Sequence, residues 1–246
     1  KFLSQHLTGN ALYEWKYEHY LRDYLSCVKG IDDGVGELID YLKAHGLLKN
    51  TIIIYTSDQG FYLGEHNWFD KRFMYEESFR TKCYAMVQNI DYAPTFLKLA
   101  GIKQLKAMSG LPLEPLFTGK TPANWRKSLY YHYYDYPTFH MVRKHDGVRT
   151  ERYKLIHFYG KGGLKGATSK YQTTPGTTEY GVLQRLDKTG YITHNDPDLD
   201  TYELYDLKND PHELNNIYGQ AGTQKITGYL KKLLNGYRKK LSVTEY

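Results

Sequence analysis

The chain has 246 residues, enough for one large domain or two modest ones, and its 41% hydrophobic and 24% charged residues are typical of globular proteins. No run approaches the roughly 18 apolar residues of a membrane span, so we expect no membrane-spanning segment. The net charge of +6 favours an anionic substrate. Because no basic-aromatic recognition motif accompanies this charge, we expect no nucleic-acid partner.

The first predicted elements are helices followed by one buried strand. Residues 1–26 place Leu, Trp and Tyr at loosely helical spacing, which predicts one or two surface helices. Apolar residues between positions 28 and 42 recur every three or four residues, an amphipathic pattern that would stop near Gly46. Three isoleucines at positions 52–54 then predict a strand buried on both faces, as in a parallel sheet.

Polar residues follow this strand. Asp58 and Gln59 lie where it would end, and open α/β sheets keep their sites at the carboxyl ends of strands. The alternative is an ordinary turn that closes the strand without further function.

The second half predicts a smaller antiparallel sheet and more helices. Residues 86–90 suggest another strand, and Asp91 with Pro94 predicts a helix start. Residues 160–178 are rich in Gly, Thr and Lys and predict a flexible loop. Antiparallel strands are predicted from runs rich in Tyr, Val and His at residues 128–136, 141–148, 153–159 and 203–207.

Two further helices are predicted near the carboxyl end. Asp210, Pro211 and Glu213 have the order of an N-cap, a first-turn proline and a capping box. Residues 226–237 repeat apolar side chains in a helical pattern, with lysines and arginines on the other side.

Several stretches carry a family resemblance. The string SDQGFYLGEHNWFDKR at 57–72, continuing to YEESFRT at 75–81, resembles the metal-and-lysine segment of type I sulfatases. LYDLKNDPHELNNIY at 204–218 resembles a tail signature of the same enzymes. They belong to the alkaline-phosphatase-like superfamily, and the likeness is greatest to bacterial carbohydrate sulfatases such as N-acetylglucosamine-6-sulfatases.

The resemblance implies an α/β fold, an alkaline-phosphatase-like mixed sheet flanked by helices with a smaller antiparallel sheet and a terminal helix. It also implies that the chain is roughly the carboxyl-terminal half of such an enzyme. Residues 1–117 would then belong to the catalytic domain and residues 118–246 to a smaller subdomain, in which residues 161–198 look inserted.

The resemblance also implies Ca²⁺ and a formylglycine nucleophile made from Cys or Ser in a C/S-x-P-x-R motif. Neither Cys27 nor Cys83 has proline two residues later, and no Ser-x-Pro-x-Arg occurs. We therefore expect the nucleophile in the missing amino-terminal half of the same enzyme. The sequence shows no signal peptide, and because it begins at Lys1 without an initiator methionine, residue 1 is not expected to be the natural start.

The catalytic residues carried over by the resemblance lie between positions 58 and 71. Asp58 and Gln59 match the metal pair, and their oxygens are the hard donors that Ca²⁺ takes. Lys71 matches the lysine that contacts the sulfate and assists the leaving oxygen. His66 would contact the sulfate or donate a proton, or else hold the loop backbone.

Candidate substrate contacts lie in the second half. The segment HMVRKHDGVRTERYKL resembles a cleft-facing segment of the family, which implies substrate roles for His140, His145 and Arg149. Strand alternation puts His145, Gly147 and Arg149 on one face. The alternative for Arg149 and Arg152 is a salt-bridging role between domains.

The function implied is hydrolysis of a sulfate ester on a carbohydrate of the glycosaminoglycan or mucin type, which includes 6-O-sulfated N-acetylglucosamine. A phosphodiesterase or phosphonate hydrolase of the same superfamily is one alternative, and a non-catalytic sugar-binding half is another. A periplasmic or secreted location is expected by analogy for a bacterial enzyme, and a lysosomal one for a eukaryotic enzyme.

Overall fold

The computed structural model describes residues 6–79, 85–136, 142–160, 168–170, 191–193 and 197–244. The chain divides into two compact units, Lys1–Asp70 and Lys71–Tyr246. The predicted domain boundary at residue 117 lies inside the second unit, and for the full-length protein it stays a prediction.

A long helix dominates the first unit. Helix α1, Gly9–Ala44, runs for 36 residues, so the predicted helices are one continuous element. It ends as predicted near Gly46, whose φ of 69° is a left-handed conformation that suits glycine. No residue of α1 is buried, although apolar side chains recur along it.

The predicted buried strand at residues 52–54 is wrong for the described chain. Residues 51–57 have no regular secondary structure, and Ile52, Ile53 and Ile54 are 67%, 44% and 46% exposed. A strand is defined by hydrogen-bonded neighbours, and none of the described residues pairs with this segment. The isoleucine run therefore predicted a buried strand, but the described residues contain no neighbouring strand that pairs with it and buries it.

The second unit begins with two short helices, α2 (Glu76–Phe79) and α3 (Tyr92–Leu99). The predicted strand at 86–90 is wrong, because Asn89–Asp91 forms a turn of 3₁₀-helix. Asp91 precedes α3 as predicted, but its side chain does not cap that helix. Its buried carboxylate instead binds Arg126 at 2.6 Å and accepts the Leu111 amide at 2.8 Å.

The antiparallel sheet of the second unit confirms four of the predicted strands. Its order is β1-β2-β3-β6, and every neighbouring pair is antiparallel. The strands span Ser128–Tyr133 (β1), His145–Thr150 (β2), Tyr153–Gly160 (β3) and Leu199–Asp206 (β6). Two short strands, Thr168–Lys170 (β4) and Tyr191–Thr193 (β5), pair inside the predicted insertion, and β4 falls in the predicted flexible loop.

Helix α4, Gln224–Lys240, forms as predicted and covers one face of this sheet. Leu230 and Leu234 pack with Val148, Leu155 and Leu204 in one buried cluster. Four residues further along the helix, Arg238 is also buried and pairs with a strand residue, whereas Tyr229 of the predicted apolar side is 57% exposed. The inward row is therefore the i, i+4 series 230, 234, 238.

The opposite face is covered by residues 71–79, here called the anchor segment. Met74 packs against Ile156 and Tyr205 in a second buried cluster. A Cβ at Gly147 would lie 2.6 Å from the Met74 sulfur, so only glycine permits this approach. The sheet is thus a central layer between α4 and the anchor segment.

The predicted helix after Asp210 is wrong. Residues 211–217 form turns and irregular chain, and the Asp210 carboxylate accepts the amides of Leu214 and Asn215. Glu213 adopts a φ of 52°, which a helix does not allow, and its side chain is buried. The capping pattern therefore marks a tight turn that directs Glu213 into the protein.

Candidate functional site

A polar bend in the first unit carries the two predicted metal ligands. Asp58 and Gln59 are both exposed, and the Ser57 hydroxyl donates to the Gln59 carbonyl at 2.7 Å. A carboxylate and an amide oxygen fit Ca²⁺, which takes about 6 to 8 oxygens. Across the described ranges no group of three or more His, Cys, Asp or Glu residues could hold a metal.

His66 lies in a tight turn of the same unit. The turn Glu65–Asn67 is closed by the Trp68 amide, which donates to Glu65, and by the Gly64 amide, which donates to Trp68. His66 has a φ of 53°, a left-handed conformation that is strained for a residue with a side chain. Strain of this kind gathers at functional sites, and it is compatible with either predicted role of His66.

Aromatic contacts attach this loop to helix α1. The rings of Tyr20 and Phe69 meet edge to face with centroids 4.7 Å apart, and those of Tyr24 and Phe61 stack at 5.9 Å. A Cβ on Gly64 would lie 3.5 Å from the Tyr17 ring. The tyrosines of α1 therefore hold the loop that carries His66.

Lys71 begins the anchor segment of the second unit. Its carbonyl accepts a hydrogen bond from the Ser78 hydroxyl at 2.9 Å, and the next carbonyl, that of Arg72, accepts one from Tyr131 at 2.9 Å. Lys71 is half-buried, and its ammonium has no ion-pair partner among the described residues. Hydrogen bonds thus hold the backbone at Lys71, whereas its ammonium makes no ion pair with a described residue.

His145 is enclosed by aromatic rings and is 0% exposed. Its Nδ1 donates to the Arg143 carbonyl at 2.8 Å, and no described residue bonds its Nε2. Burial lowers the pKa of His145 to about 4, so the ring is neutral at pH 7. A substrate hydroxyl could reach Nε2 only by entering this pocket, whose ring centroids lie 5.1 to 5.9 Å from that of His145 and belong to Phe158, Tyr133, Tyr131 and Phe73.

Arg149 lies on the same face of β2, as predicted, and its guanidinium is committed to an ion pair. Two of its nitrogens donate to the Glu76 carboxylate at 2.8 and 2.9 Å. Arg152 pairs with Asp206 at 2.7 Å. By the predicted boundary at residue 117, the Arg149–Glu76 pair would join the two domains, whereas Arg152–Asp206 lies within the second. A substrate role for Arg149 stays a prediction.

His140 lies outside the described residues. The structure therefore brings His145 and Arg149 together against the anchor segment, which begins at Lys71. Asp58, Gln59 and His66 belong to the first unit.

Sequence analysis missed a buried lysine beneath the anchor segment. Lys154 is 0% exposed, lies 2.9 Å from Glu76 and 2.8 Å from Glu213, and donates to the Met74 carbonyl at 2.7 Å. Lys154 alternates in phase with Ile156 on β3, and a lysine at an inward position of an apolar strand requires a buried counter-charge. The position of Lys154 on the inward side of an apolar strand was the sequence signal for this buried ion pair.

The carboxylates of Glu76 and Glu213, which both contact Lys154, have pKa values shifted in opposite directions. Burial would raise the pKa of Glu76, but hydrogen bonds from Arg149 and the charges of Lys154 and Arg149 lower it to about 2. Burial dominates for Glu213 and raises its pKa to about 7, against the opposing effect of Lys154. Glu76 is thus the firmly ionised member.

Two family models match the chain. The model described as sulfatase covers residues 3–102, and the model described as N-sulphoglucosamine sulphohydrolase, C-terminal, covers residues 64–165 and 177–240. Together they account for both units.

The chain is also similar to individual proteins. It is 42% identical over 95% of its length to an N-acetylglucosamine-6-O-sulfatase of Bacteroides thetaiotaomicron, of which it covers 38%. It is 26% identical over 93% of its length to a multifunctional alkaline phosphatase superfamily protein of Trinickia caryophylli, of which it covers 42%. The chain therefore spans less than half the length of these relatives.

A solved structure has the same fold over nearly the whole chain. It superposes with a TM-score of 0.76 and 40% identity, over 99% of this chain and 45% of the other. That protein is described as bound to its substrate, D-glucosamine-2-N,6-O-disulfate. The α/β fold predicted from the sequence is confirmed by this likeness.

Proposed function

This chain belongs to the sulfatase family, and we propose that the full-length protein hydrolyses a sulfate ester on a carbohydrate. The observation that carries the proposal is the 42% identity, over 95% of the chain, to an N-acetylglucosamine-6-O-sulfatase. The substrate of the structural neighbour, a glucosamine with N- and 6-O-sulfates, supports a 6-O-sulfated glucosamine unit as the substrate class.

Lys71 is proposed to bind the sulfuryl group and stabilise the leaving oxygen. Negative charge develops on these oxygens as the S–O bond breaks, and a positioned cation stabilises the transition state more than the ground state. The Ser78 contact to the Lys71 carbonyl and the uncommitted ammonium support this role.

Asp58 and Gln59 are proposed as two ligands of a Ca²⁺ ion, which would supply positive charge beside the sulfuryl oxygens. This chain contains no C/S-x-P-x-R motif, so the formylglycine nucleophile of the family would lie outside it. His66 is proposed as a sulfate contact or proton donor, and His140, His145 and Arg149 as contacts to the sugar.

The site of action is proposed to be the periplasm or the cell exterior, where sulfated polysaccharides are found, or a lysosome in a eukaryotic cell. None of the helices in the described chain combines the length and apolar character needed to traverse a bilayer.

The test is turnover by the full-length protein on N-acetylglucosamine 6-sulfate and on a matched phosphate diester. We expect sulfate release to dominate. Lys71→Ala should lower kcat/KM by about 10²- to 10³-fold, as loss of a transition-state charge contact does. Lys232→Ala, at an exposed lysine of α4, is the matched control and should leave kcat/KM unchanged.

Each other outcome has its own meaning. Preferential cleavage of the phosphate diester would favour the phosphodiesterase alternative, and binding without turnover would favour a sugar-binding protein. Near-normal turnover by Lys71→Ala would remove Lys71 from the mechanism.

A further inference from the structure

Four ionisable side chains meet beneath the anchor segment. Lys154 lies between Glu76 and Glu213 at 2.9 and 2.8 Å, and Arg149 binds the far side of Glu76 through two hydrogen bonds. Lys154 and Glu213 are almost fully buried. Removing such charges from water costs several kcal/mol each, so a cluster of this kind is weak evidence of a purely stabilising role.

The cluster holds the backbone of the anchor segment directly. The Glu76 amide donates to the Glu213 carboxylate at 2.6 Å, and the Lys154 ammonium donates to the Met74 carbonyl at 2.7 Å. From there Ser78 returns to Lys71, donating to its carbonyl at 2.9 Å. The contacts thus connect the buried charges to the backbone of Lys71 through a few residues of chain.

Glu213 adopts a strained conformation to make its contact. Its φ of 52° is left-handed, which costs a residue with a side chain free energy and persists only where the surroundings impose it. The Asp210 carboxylate closes the turn by accepting two backbone amides, and Glu213 lies inside that turn. The turn therefore delivers one carboxylate to one backbone amide of the anchor segment.

From these contacts we propose that Glu213 and Lys154 are positioning residues for the sulfate-ester reaction. They hold residues 74–76 against the sheet and so set where Lys71 presents its ammonium. This proposal rests on the proposed function, and on Lys71 being the lysine that contacts the sulfuryl group. Neither Glu213 nor Lys154 touches the substrate in this account.

The experiment compares two matched lesions in the full-length protein. Glu213→Leu removes a buried carboxylate from Lys154 and leaves the Glu76 amide without its acceptor. Asp146→Leu removes a buried carboxylate from Arg238 on the other face of the sheet, where α4 packs. Both variants remove one buried carboxylate from a buried cation, so both should lower Tm.

Only Glu213→Leu should lower the rate of the reaction. When each variant is assayed equally far below its own Tm, Glu213→Leu should lower kcat by about 10- to 100-fold with KM within about 3-fold, because a misplacement of about 1 Å costs about that much. Asp146→Leu should keep kcat within about 2-fold. Glu213→Gln retains an acceptor for the Glu76 amide and should restore most of the lost kcat.

Hydrogen exchange separates failure of this proposal from failure of the proposed function. Amides of residues 71–79 should exchange faster in Glu213→Leu than in Asp146→Leu, whatever substrate the enzyme uses. Equal losses of kcat in both variants, or unchanged exchange in the anchor segment, would overturn the positioning role. Accelerated exchange in a protein without sulfatase activity would instead overturn the proposed function.

Discussion

At the scale of single residues, burial decides the chemistry of the titratable side chains around the anchor segment. His145 is held neutral inside aromatic rings, and its Nδ1 proton is used by the Arg143 carbonyl. Glu76 is held ionised by Arg149 and Lys154. Such opposite responses within one face of a sheet make the stability of the protein depend on pH.

The His145 contribution has a defined sign. Its pKa is about 4 in the folded protein and 6.5 when unperturbed, so the unfolded chain binds the proton first as pH falls. Stability is therefore lost from pH 6.5 down to 4. At pH 4.5 we expect this loss to be about 2.5 kcal/mol, and His145→Gln to lack it.

Urea unfolding of the full-length protein at several pH values tests this prediction. The raised pKa of Glu213 acts oppositely, since it lowers stability as pH rises from 4.5 to 7, but it is present in both proteins and cancels in their difference. His212→Gln, at an exposed histidine, is the control and should follow the wild-type pH curve. Parallel curves for His145→Gln and wild type would contradict a buried neutral ring.

At the scale of elements, the antiparallel sheet is covered on both faces. Leu230 and Leu234 of α4 cover one face, and Met74 of the anchor segment covers the other. Gly147 is the point of closest approach on the Met74 side. The sheet is therefore the base that gives the segment after Lys71 a defined place.

Gly147→Ala tests this packing. The new Cβ would lie 2.5 Å from the Leu155 carbonyl oxygen and 2.6 Å from the Met74 sulfur, so strand and segment would have to separate. We expect a loss of about 1–3 kcal/mol in the free energy of unfolding, the usual cost of overpacking.

Gly236→Ala provides a comparison of opposite sign. This helical glycine has nothing within 4 Å of an added Cβ, and alanine should stabilise α4 by about 0.5–1 kcal/mol. Urea unfolding measures both changes. A neutral Gly147→Ala would show that Met74 does not rest on β2.

Local sequence patterns predicted the elements whose partners lie nearby in the chain. The sheet strands were predicted from runs rich in Tyr, Val and His, and α4 was predicted from the helical spacing of its apolar residues. Residues 52–54 failed because burial depends on neighbouring strands, which no local pattern contains. The helix after Asp210 failed because Glu213 binds Lys154, 59 residues away, which overrides a capping preference.

Sequence patterns likewise indicated the local part of the candidate site and missed the part assembled by the fold. The string from Asp58 to Lys71 is local in sequence and was readable as a motif. The support beneath Lys71 comes from β3 and from the turn at Glu213, so it could be found only once the fold had assembled them.

At the scale of the whole molecule, metal binding should depend on more than this chain. The proposed ligands Asp58 and Gln59 would supply two oxygens, whereas Ca²⁺ takes about 6 to 8. We expect the full-length protein to bind Ca²⁺ and to lose turnover when a chelator removes it. The 246-residue chain alone should bind Ca²⁺ at least about 100-fold more weakly, since most ligands would be absent.

Calorimetry with Ca²⁺ on both proteins checks this expectation. Asp58→Ala in the full-length protein should weaken Ca²⁺ binding and sulfate release together, while Asp40→Ala, at an exposed acid of α1, should alter neither. Full activity after chelation would exclude the ion from the reaction.

The enclosure of Lys154 also makes it a natural chemical reporter. Its amine has no access to bulk water, so an acylating reagent that modifies surface lysines quickly would spare it while the anchor segment covers it. Modification at position 154 would then proceed only as fast as the anchor segment lifts from the sheet. Mass spectrometry of that one peptide would time the lifting in the native enzyme, without any engineered probe.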